Sequence, residues 1–175
     1  IAAETLTVET KNIIVLSSDT DLTPFDVGAY ASSTTYISGS SVKRCAELIK
    51  NQILTVAAEM MNCRLEEVSI NNGTASSTNN QVTLEEIGYY STYTCNQFQI
   101  QASASSTVEL SPPPFAATFA EVDVDPSTGK IKISQLVTVV DCGQAINPKL
   151  AEGQVEGAAG NGISFALTEH YLFND

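Results

Sequence analysis

Four successive hydroxyl side chains, from Ser32 to Thr35, follow a run of small residues that starts at Gly28. Small side chains allow a ligand to approach the backbone, and hydroxyls donate hydrogen bonds without carrying charge. A long amphipathic helix is predicted to begin near Gly39, and the N–H groups of its first turn would favour an anion. The segment is therefore a candidate anion site, with a solvated Ser/Thr linker as the alternative.

A second segment places four glycines within ten positions of a predicted helix, at Gly153, Gly157, Gly160 and Gly162. Each glycine destabilises a helix interior by about 1 kcal/mol relative to alanine, so the run needs a reason. Gln154 and Glu156, between these small residues, would require polar partners if they were buried. Close approach of a ligand and close packing of another helix both explain the pattern.

The remaining polar candidates favour structural roles. Asp141 and Asn147 are interpreted as turn or capping residues between a strand and a helix. His170 is the single histidine, and no Ser or Cys stands at a spacing that would pair with it. The cysteines lie far apart without a C-x-x-C motif, which disfavours zinc or iron–sulfur ligation; they are Cys45, Cys63, Cys95 and Cys142. We interpret them as buried free thiols in a reducing cytosol, and assign no metal ligand.

Composition limits the classes of partner. The chain has 175 residues, of which 43% are hydrophobic and 16% charged, so a packed core is expected and disorder is not. A net charge of −12 disfavours nonspecific binding to nucleic acid. No run of eighteen apolar residues exists, so no membrane span is predicted. The first residues do not resemble a secretory signal, and the predicted location is cytoplasmic.

Apolar spacing predicts the elements that position these segments. Residues 1–6 resemble the last turns of a helix whose start is missing, and the apolar run 13–16 is typical of a buried strand. Apolar residues then recur along one face of a long helix, at Val42, Cys45, Ala46, Ile49, Ile53, Val56, Ala57 and Met60. Short strands are expected around Asn72-Gly73, a capping box at Thr83 opens a brief helix, and 92–110 is expected to be extended.

The clearest predicted hairpin joins residues 115–125 to residues 130–140. Its turn contains Asp125-Pro126 and Gly129, and the apolar alternation shifts phase in the second strand, which predicts a bulge near Gln135. A glycine-rich helix is then predicted from Asn147-Pro148 to about Glu169. Strands and helices that do not strictly alternate indicate an α+β fold, which we expect to contain a mixed sheet.

Three ordered segments resemble the xanthine dehydrogenase and aldehyde oxidase family of molybdenum hydroxylases. Residues 19–36 read DTDLTPFDVGAYASSTTY, and 113–122 read PPFAATFAEV before a D-P-x-T-G-K hairpin turn. A D-x-G-x-x-I-N-P block at 141–148 precedes A-E-G-Q-V-E-G at 151–157. The resemblance covers nearly the whole chain. It implies that residues 1–175 are a single fragment of the α+β molybdopterin-binding domain, truncated at both ends relative to its parent subunit.

The resemblance also implies a function for the parent protein. Such enzymes are oxidoreductases that hydroxylate purines, N-heterocycles or aldehydes with oxygen taken from water. They hold molybdenum through the dithiolene of a pyranopterin or its dinucleotide form, and the protein supplies no direct metal ligand. The cofactor-binding residues implied in this chain are a hydroxyl-rich segment and one amide: Ala31, Ser32, Ser33, Thr34, Thr35 and Gln154.

Catalysis itself is expected to need other parts of the parent. The family's general base is a glutamate in a G-x-G-E motif, expected beyond Asp175, so the chain alone is predicted to be inactive. The implied partners are the rest of the molybdopterin subunit, [2Fe–2S] and FAD domains or subunits, and a small substrate such as xanthine, another purine, nicotinate, an aldehyde or carbon monoxide. A noncatalytic cofactor-carrying or assembly module, and a structural domain that retains the family sequence, are the alternatives.

Overall fold

A computed structural model of the chain describes residues 1–110 and 112–173, which divide into two compact units, Ile1–Glu109 and Leu110–Asp175. The first unit contains α1 (Ala2–Leu6), α2 (Thr34–Met61), β1 (Ser69–Asn71), β2 (Thr74–Ser76), β3 (Gln81–Thr83) and α3 (Leu84–Tyr93), with short 3-10 helices at Thr10–Asn12 and Leu65–Glu67. The second contains β4 (Phe115–Val124), β5 (Ile131–Asp141) and α4 (Pro148–Leu167). The α+β class, with its long helix, hairpin and C-terminal helix, is confirmed.

The long helix α2 supplies most of the core of the first unit. Its buried residues recur at helical spacing along the second half of the helix: Ala46, Ile53, Val56, Ala57, Ala58 and Met61. Ile87 of α3 is only 1% exposed and belongs to the same cluster, together with Ile70 and Ala75 of the small sheet. The predicted apolar face is confirmed in its C-terminal half, whereas Val42 near the start is 44% exposed.

Three short antiparallel strands form the sheet of the first unit in the order β1-β2-β3. The predicted Asn72-Gly73 turn is confirmed, because both residues have positive φ, 45° and 74°, as a type I′ turn requires. Thr83 accepts a hydrogen bond from the Glu86 N–H, and the Glu86 carboxylate accepts one from the Thr83 N–H. This capping box fixes the first turn of α3.

The apolar run at residues 13–16 is not a strand, and its predicted burial is wrong. Ile14, Val15 and Leu16 are 86%, 76% and 74% exposed, and the run has no hydrogen-bonded strand partner in the described part of the chain. A strand exists only as one member of a ladder, because its backbone N–H and C=O groups need partners. The apolar residues indicated a segment suited to burial, but they carry no information about which strand would pair with it.

The segment predicted to be extended over 92–110 starts about six residues later, because α3 continues to Tyr93 and a turn with Asn96 and Gln97 at positive φ follows it. Between 101 and 108 the residues alternate between exposed and half-buried, as in a strand lying on one surface. Side chains of α2 hold this segment: Gln52 exchanges two hydrogen bonds with the Gln101 backbone, and Cys45 donates to the Ala102 carbonyl.

The second unit consists of one antiparallel hairpin and one helix. Strand β4 pairs with β5 from Phe115 opposite Asp141 to Val124 opposite Ile131. The predicted bulge is confirmed, because Glu121 pairs with Gln135 while Val122 pairs with Ile133, which leaves Ser134 unpaired. The expected mixed sheet is thus two separate antiparallel sheets. None of the described helices is long and apolar enough to cross a membrane.

Candidate functional site

The hydroxyl segment of the sequence lies at the start of α2. The helix begins at Thr34 with Ser33 as its N-cap, so the predicted start near Gly39 is wrong by five residues. Thr34 and Thr35 therefore belong to the first helical turn. The error arose because most residues of the first turns are Ser, Thr or Gly, and Tyr36 and Ile37 alone give no helical apolar periodicity. The hydroxyl run and the helix N-terminus coincide.

The first-turn amides of α2 have no acceptor among residues 1–110 and 112–173. The Ile37 N–H donates to the Ser33 carbonyl at 2.8 Å, as the first bond of the helix. Among the described residues, no acceptor receives the N–H groups of Thr34, Thr35 or Tyr36. The Ser33 hydroxyl does not cap them, because it donates to the Tyr30 carbonyl at 2.7 Å. Three N–H groups and the positive end of the helix dipole consequently face solvent.

The backbone just before the helix adopts an uncommon conformation. Ala31 and Ser32 have φ of 49° and 54°, and Gly28 has φ of 95°. A non-glycine residue in the left-handed region costs of order 1–3 kcal/mol, and such residues cluster at ligand clamps and active sites. The loop from Gly28 to Ser33 therefore holds a strained shape directly at the free end of α2.

Asp26 is a residue of this region that the sequence reasoning missed. One oxygen of its carboxylate, Oδ1, accepts the Gly28 N–H at 2.7 Å, and the other, Oδ2, accepts the Ser38 hydroxyl at 3.1 Å. The Asp-x-Gly pattern was a local signal for the first contact, because aspartate commonly accepts the N–H two residues on. The contact with Ser38 depends on the path of the loop and had no sequence signal.

Gln154, the candidate from the second motif, lies on α4 in the other unit. Its side chain is exposed and makes no hydrogen bond within the described part of the chain. A Cβ added to the neighbouring Gly153 or Gly157 would meet nothing within 4 Å. Within the second unit, nothing described packs against these two glycines.

The second unit also contains an apolar groove of about 600 Å³ between α4 and one face of the hairpin. Its walls include Ala116, Leu136 and Val140 of the hairpin and Ala159 of α4. No charged side chain lines it. The groove therefore offers burial to an apolar group but no acid or base.

The other polar candidates have structural roles. Asp141 accepts the Gly143 N–H at 2.9 Å, and Asn147 caps α4 by accepting the Leu150 N–H at 3.1 Å, which confirms the turn and capping interpretation. His170 is exposed. The cysteines are free thiols, but none is buried: Cys142 is exposed and the other three are half-buried, so the predicted burial is wrong. The described residues contain no cluster of three side chains suited to hold a metal.

In the first unit, Glu59 shifts the pKa values of two neighbouring side chains, Tyr90 and Cys95. Tyr90 donates its hydroxyl to Oε1 of Glu59 at 3.1 Å, and this hydrogen bond raises the pKa of the tyrosine. The Cys95 thiol lies 3.6 Å from Oε2 of the same carboxylate. Burial, followed by the charge of Glu59, raises the pKa of that thiol. Raised values keep both groups protonated and make neither a base or nucleophile at neutral pH.

A family model for the molybdopterin cofactor-binding domain matches residues 1–175, the full length of the chain. The chain belongs to this family. It spans about a quarter of the length of the curated relatives that it matches. It is 33% identical over 98% of its length to the putative xanthine dehydrogenase molybdenum-binding subunit of Escherichia coli (strain K12), and covers 24% of that protein.

Further relatives and solved structures agree with this assignment. The gamma subunit of the 6-hydroxypseudooxynicotine dehydrogenase complex from Paenarthrobacter nicotinovorans is 28% identical over 100% of the chain, which covers 23% of it. Quinoline 2-oxidoreductase from Pseudomonas putida 86 shares the fold, with a TM-score of 0.86, 23% identity, and coverage of 99% of this chain and 23% of that one. A Cu,Mo-CO dehydrogenase gives a TM-score of 0.76 at 25% identity, over 89% of this chain and 20% of that one.

The residues at the start of α2 fit the anionic part of a molybdopterin cofactor. Residues 27–42 contain no charged side chain, although the chain carries a net charge of −12. Free N–H groups and exposed hydroxyls are the donors that a phosphate accepts from without repulsion. Ala31, Ser32 and Ser33 end the loop before α2 and Thr34 and Thr35 begin the helix, so these five are contiguous, whereas Gln154 lies in the second unit.

Proposed function

We propose that this molybdopterin cofactor-binding domain forms part of the cofactor-holding surface in the molybdenum-binding subunit of a xanthine dehydrogenase-like hydroxylase. The parent would be an oxidoreductase that hydroxylates a purine, an N-heterocycle or an aldehyde with water as the oxygen source. The observation that carries the proposal is the uncharged first turn of α2, with three N–H groups that no atom of the described residues accepts. The family match over residues 1–175 makes the cofactor their natural ligand.

The start of α2 would hold the anionic or pterin side of the cofactor. The N–H groups of Thr34, Thr35 and Tyr36 point out of the helix end, where the dipole contributes roughly half a positive charge. Exposed hydroxyls of Ser32, Thr34 and Thr35 add donors that rotate to suit the ligand. No carboxylate within residues 27–42 competes with the ligand for these donors.

Gln154, on α4 of the second unit, is proposed by itself as a further cofactor-binding residue. A carboxamide has both donors and an acceptor, so it can pair with the edge of a pterin ring without a charge change. The glycines beside it leave open space, which permits a flat ring to approach the helix backbone. When bound, the cofactor would supply the redox-active molybdenum; the residues named here bind and orient it.

The chain itself is not proposed to supply the general base of the reaction. A general base that works near neutral pH needs a carboxyl pKa raised by burial or by like charge. Among the described residues, the two carboxyl groups with clear shifts, Glu86 and Asp125, have lowered pKa values caused by hydrogen bonds. We instead propose as general base a glutamate of a G-x-G-E motif elsewhere in the parent protein, as the family resemblance implies.

Other subunits or domains would complete the electron path. Relatives carry names such as subunit gamma and large chain, so they are components of larger complexes. We propose that [2Fe–2S] clusters and FAD reside on the partners, because the described residues contain no metal-ligating cluster and no free cysteine pair in a C-x-x-C motif. We also propose a cytoplasmic location, in which the free thiols stay reduced.

The test is a charge placed in the first turn of α2 in the full-length holoprotein, expressed with its maturation factors. Thr35→Asp favours the helix, because a carboxylate suits a helix N-terminus, but it repels an anionic ligand. Thr35→Asn is the matched neutral control with nearly the same shape. We expect molybdenum and pterin content to fall about tenfold for Thr35→Asp and to change less than about twofold for Thr35→Asn. Equal cofactor content in all three proteins would refute the proposed site.

A further inference from the structure

The Asp26 carboxylate links the two ends of the loop that precedes α2. Gly28 opens this loop, and Ser38 lies in the second turn of the helix, twelve residues from Asp26. Both partners donate, one through its N–H and one through its hydroxyl, and both bonds are to an ionised group. The Gly28 contact, at 2.7 Å, has the length of a charge-assisted hydrogen bond, whereas the Ser38 contact, at 3.1 Å, is longer and correspondingly weaker.

The loop between these ends has little else to hold it. Gly28 adopts a φ of 95°, which a side chain would oppose, and Ala31 and Ser32 adopt left-handed conformations. Within the described part of the chain, its own internal hydrogen bonds are the two from Ser33 to the Tyr30 carbonyl. Strained conformations persist only when the surroundings determine them, so the contacts of Asp26 have a large share in maintaining the loop.

The position of the two contacts matters for the site. Asp26 reaches Ser38 beyond the free first turn, and therefore leaves the N–H groups of Thr34 and Thr35 without an acceptor. Its own oxygens are already occupied by the Gly28 amide and the Ser38 hydroxyl. Asp26 thus fixes the loop against α2 without occupying the donors that a ligand would use.

We propose that Asp26 is a positioning residue, which fastens the loop from Gly28 to Ser33 onto α2 and so preorganises the N–H groups that receive the cofactor. This inference rests on the proposed function of the α2 N-terminus. Asp26 is not itself among the residues proposed to bind the cofactor. Its effect is on how long the cofactor stays bound, because a preformed site loses less conformational freedom on binding and releases its ligand more slowly.

The experiment uses the full-length holoprotein with Asp26→Ala, Asp26→Asn and Ser38→Ala, and with Asp123→Asn as control. Asp123 is an exposed hairpin aspartate that makes no side-chain hydrogen bond among the described residues. Two readouts are taken: the rate of molybdenum and pterin release after dilution, and amide exchange of the peptide that covers the loop. Thermal unfolding of each variant is recorded in parallel.

We expect about tenfold faster release for Asp26→Ala, about threefold for Ser38→Ala, and a smaller change for Asp26→Asn, which keeps one acceptor. The double variant Asp26→Ala/Ser38→Ala should release the cofactor no faster than Asp26→Ala, because both substitutions remove the same hydrogen bond between Asp26 and Ser38. Faster amide exchange should be confined to the loop, and Asp123→Asn should match the parent.

Unchanged release and exchange in Asp26→Ala and Ser38→Ala would overturn the inference. So would a general loss of thermal stability with no preference for the loop, because that is the result of a merely structural role. The two proposals fail separately. If Thr35→Asp leaves the cofactor content unchanged, the proposed site is wrong. If Thr35→Asp lowers the cofactor content but the Asp26 and Ser38 variants release the cofactor at the normal rate, only the positioning role is wrong.

Discussion

The two units of the chain are built on different principles. Every buried hydrophobic residue in the described part of the chain, from Ala46 to Ile87, belongs to the first unit. The second unit has a ten-residue strand β4 with no buried position, and a helix α4 with none. Burial therefore defines the first unit, whereas backbone hydrogen bonds define the second.

The hairpin of the second unit exposes apolar side chains on both faces. Phe115 and Phe119 on one face are 71% and 66% exposed, and the groove beneath α4 opens onto the other. A two-stranded hairpin without a buried face is marginally stable in water. The difference implies that the first unit resists unfolding through its core, while the second opens locally at a lower free energy.

The sharpest test of this difference is the same truncation in each unit. Ile87→Ala removes a side chain that is 1% exposed from the core of the first unit, and should lower the free energy of unfolding by about 2–5 kcal/mol. Ile131→Ala removes a side chain of β5 that is 47% exposed, and should change the free energy of unfolding by less than about 0.5 kcal/mol. Denaturant unfolding followed by circular dichroism measures both values.

Equal losses at the two isoleucines would contradict the comparison, because they would require the hairpin to be buried and coupled to the core. A volume-conserving variant, Ile87→Leu, serves as the control for the core site. It keeps the buried methylene groups, so its cost should stay below about 1.5 kcal/mol.

Helix caps extend the comparison to a smaller effect. Thr83→Ala removes the capping box of α3, and should destabilise the first unit by about 1 kcal/mol. Asn147→Ala removes the cap of α4 and should increase amide exchange in the first turn of that helix. It should leave the unfolding transition of the first unit unchanged. A shift of the main transition by Asn147→Ala as large as that of Thr83→Ala would show that the two units unfold together.

The turn of the hairpin gives the second unit a local pH dependence. The hydroxyls of Ser127 and Thr128 and the Ser127 N–H donate to Asp125, and lower the pKa of its carboxyl from 3.8 to about 2. Because the pKa of Asp125 is lower in the folded than in the unfolded chain, the ionised carboxylate stabilises the folded turn, and this stabilisation is complete above about pH 4. It is lost as the pH falls through about 2. Carboxyl chemical shifts in an NMR titration should report this pKa.

Ser127→Ala is the matched variant for the turn. It removes the largest cause of the shift, so the pKa of Asp125 should move back toward its ordinary value. Glu86 in the capping box of the first unit, whose pKa is lowered by Thr83, should be unaffected. An unchanged Asp125 titration in Ser127→Ala would show that the hydroxyl contact does not persist in solution.

The sequence predicted best the elements whose signals are local. The Asn72-Gly73 turn and the hairpin with its bulge near Gln135 appear where turn chemistry and alternation place them. The capping box at Thr83 and the cap at Asn147 are equally local, since each involves residues three positions apart. In such cases the partner is within a few residues, so its identity can be read directly.

Prediction failed where the partner is remote. The apolar run 13–16 indicated a strand, but no described strand pairs with it. The hydroxyl segment was recognised, yet the start of α2 was placed five residues late because the first turns have no apolar face. The contact between Asp26 and Ser38 spans twelve residues and depends on a left-handed loop, so composition gave no sign of it.

Thiol reactivity provides the mildest contrast between the units. Cys142 of the second unit is exposed, whereas Cys95 of the first is half-buried, and burial together with Glu59 raises the pKa of its thiol. The thiolate is the reactive form, so Cys142 should be labelled by a disulfide reagent at neutral pH roughly ten times faster than Cys95. Glu59→Gln removes the negative charge that disfavours the Cys95 thiolate, although its amide oxygen remains an acceptor, and should accelerate labelling of Cys95 while leaving Cys142 unchanged. Mass spectrometry of labelled peptides resolves the two sites, and equal rates in the parent chain would contradict the assigned environments.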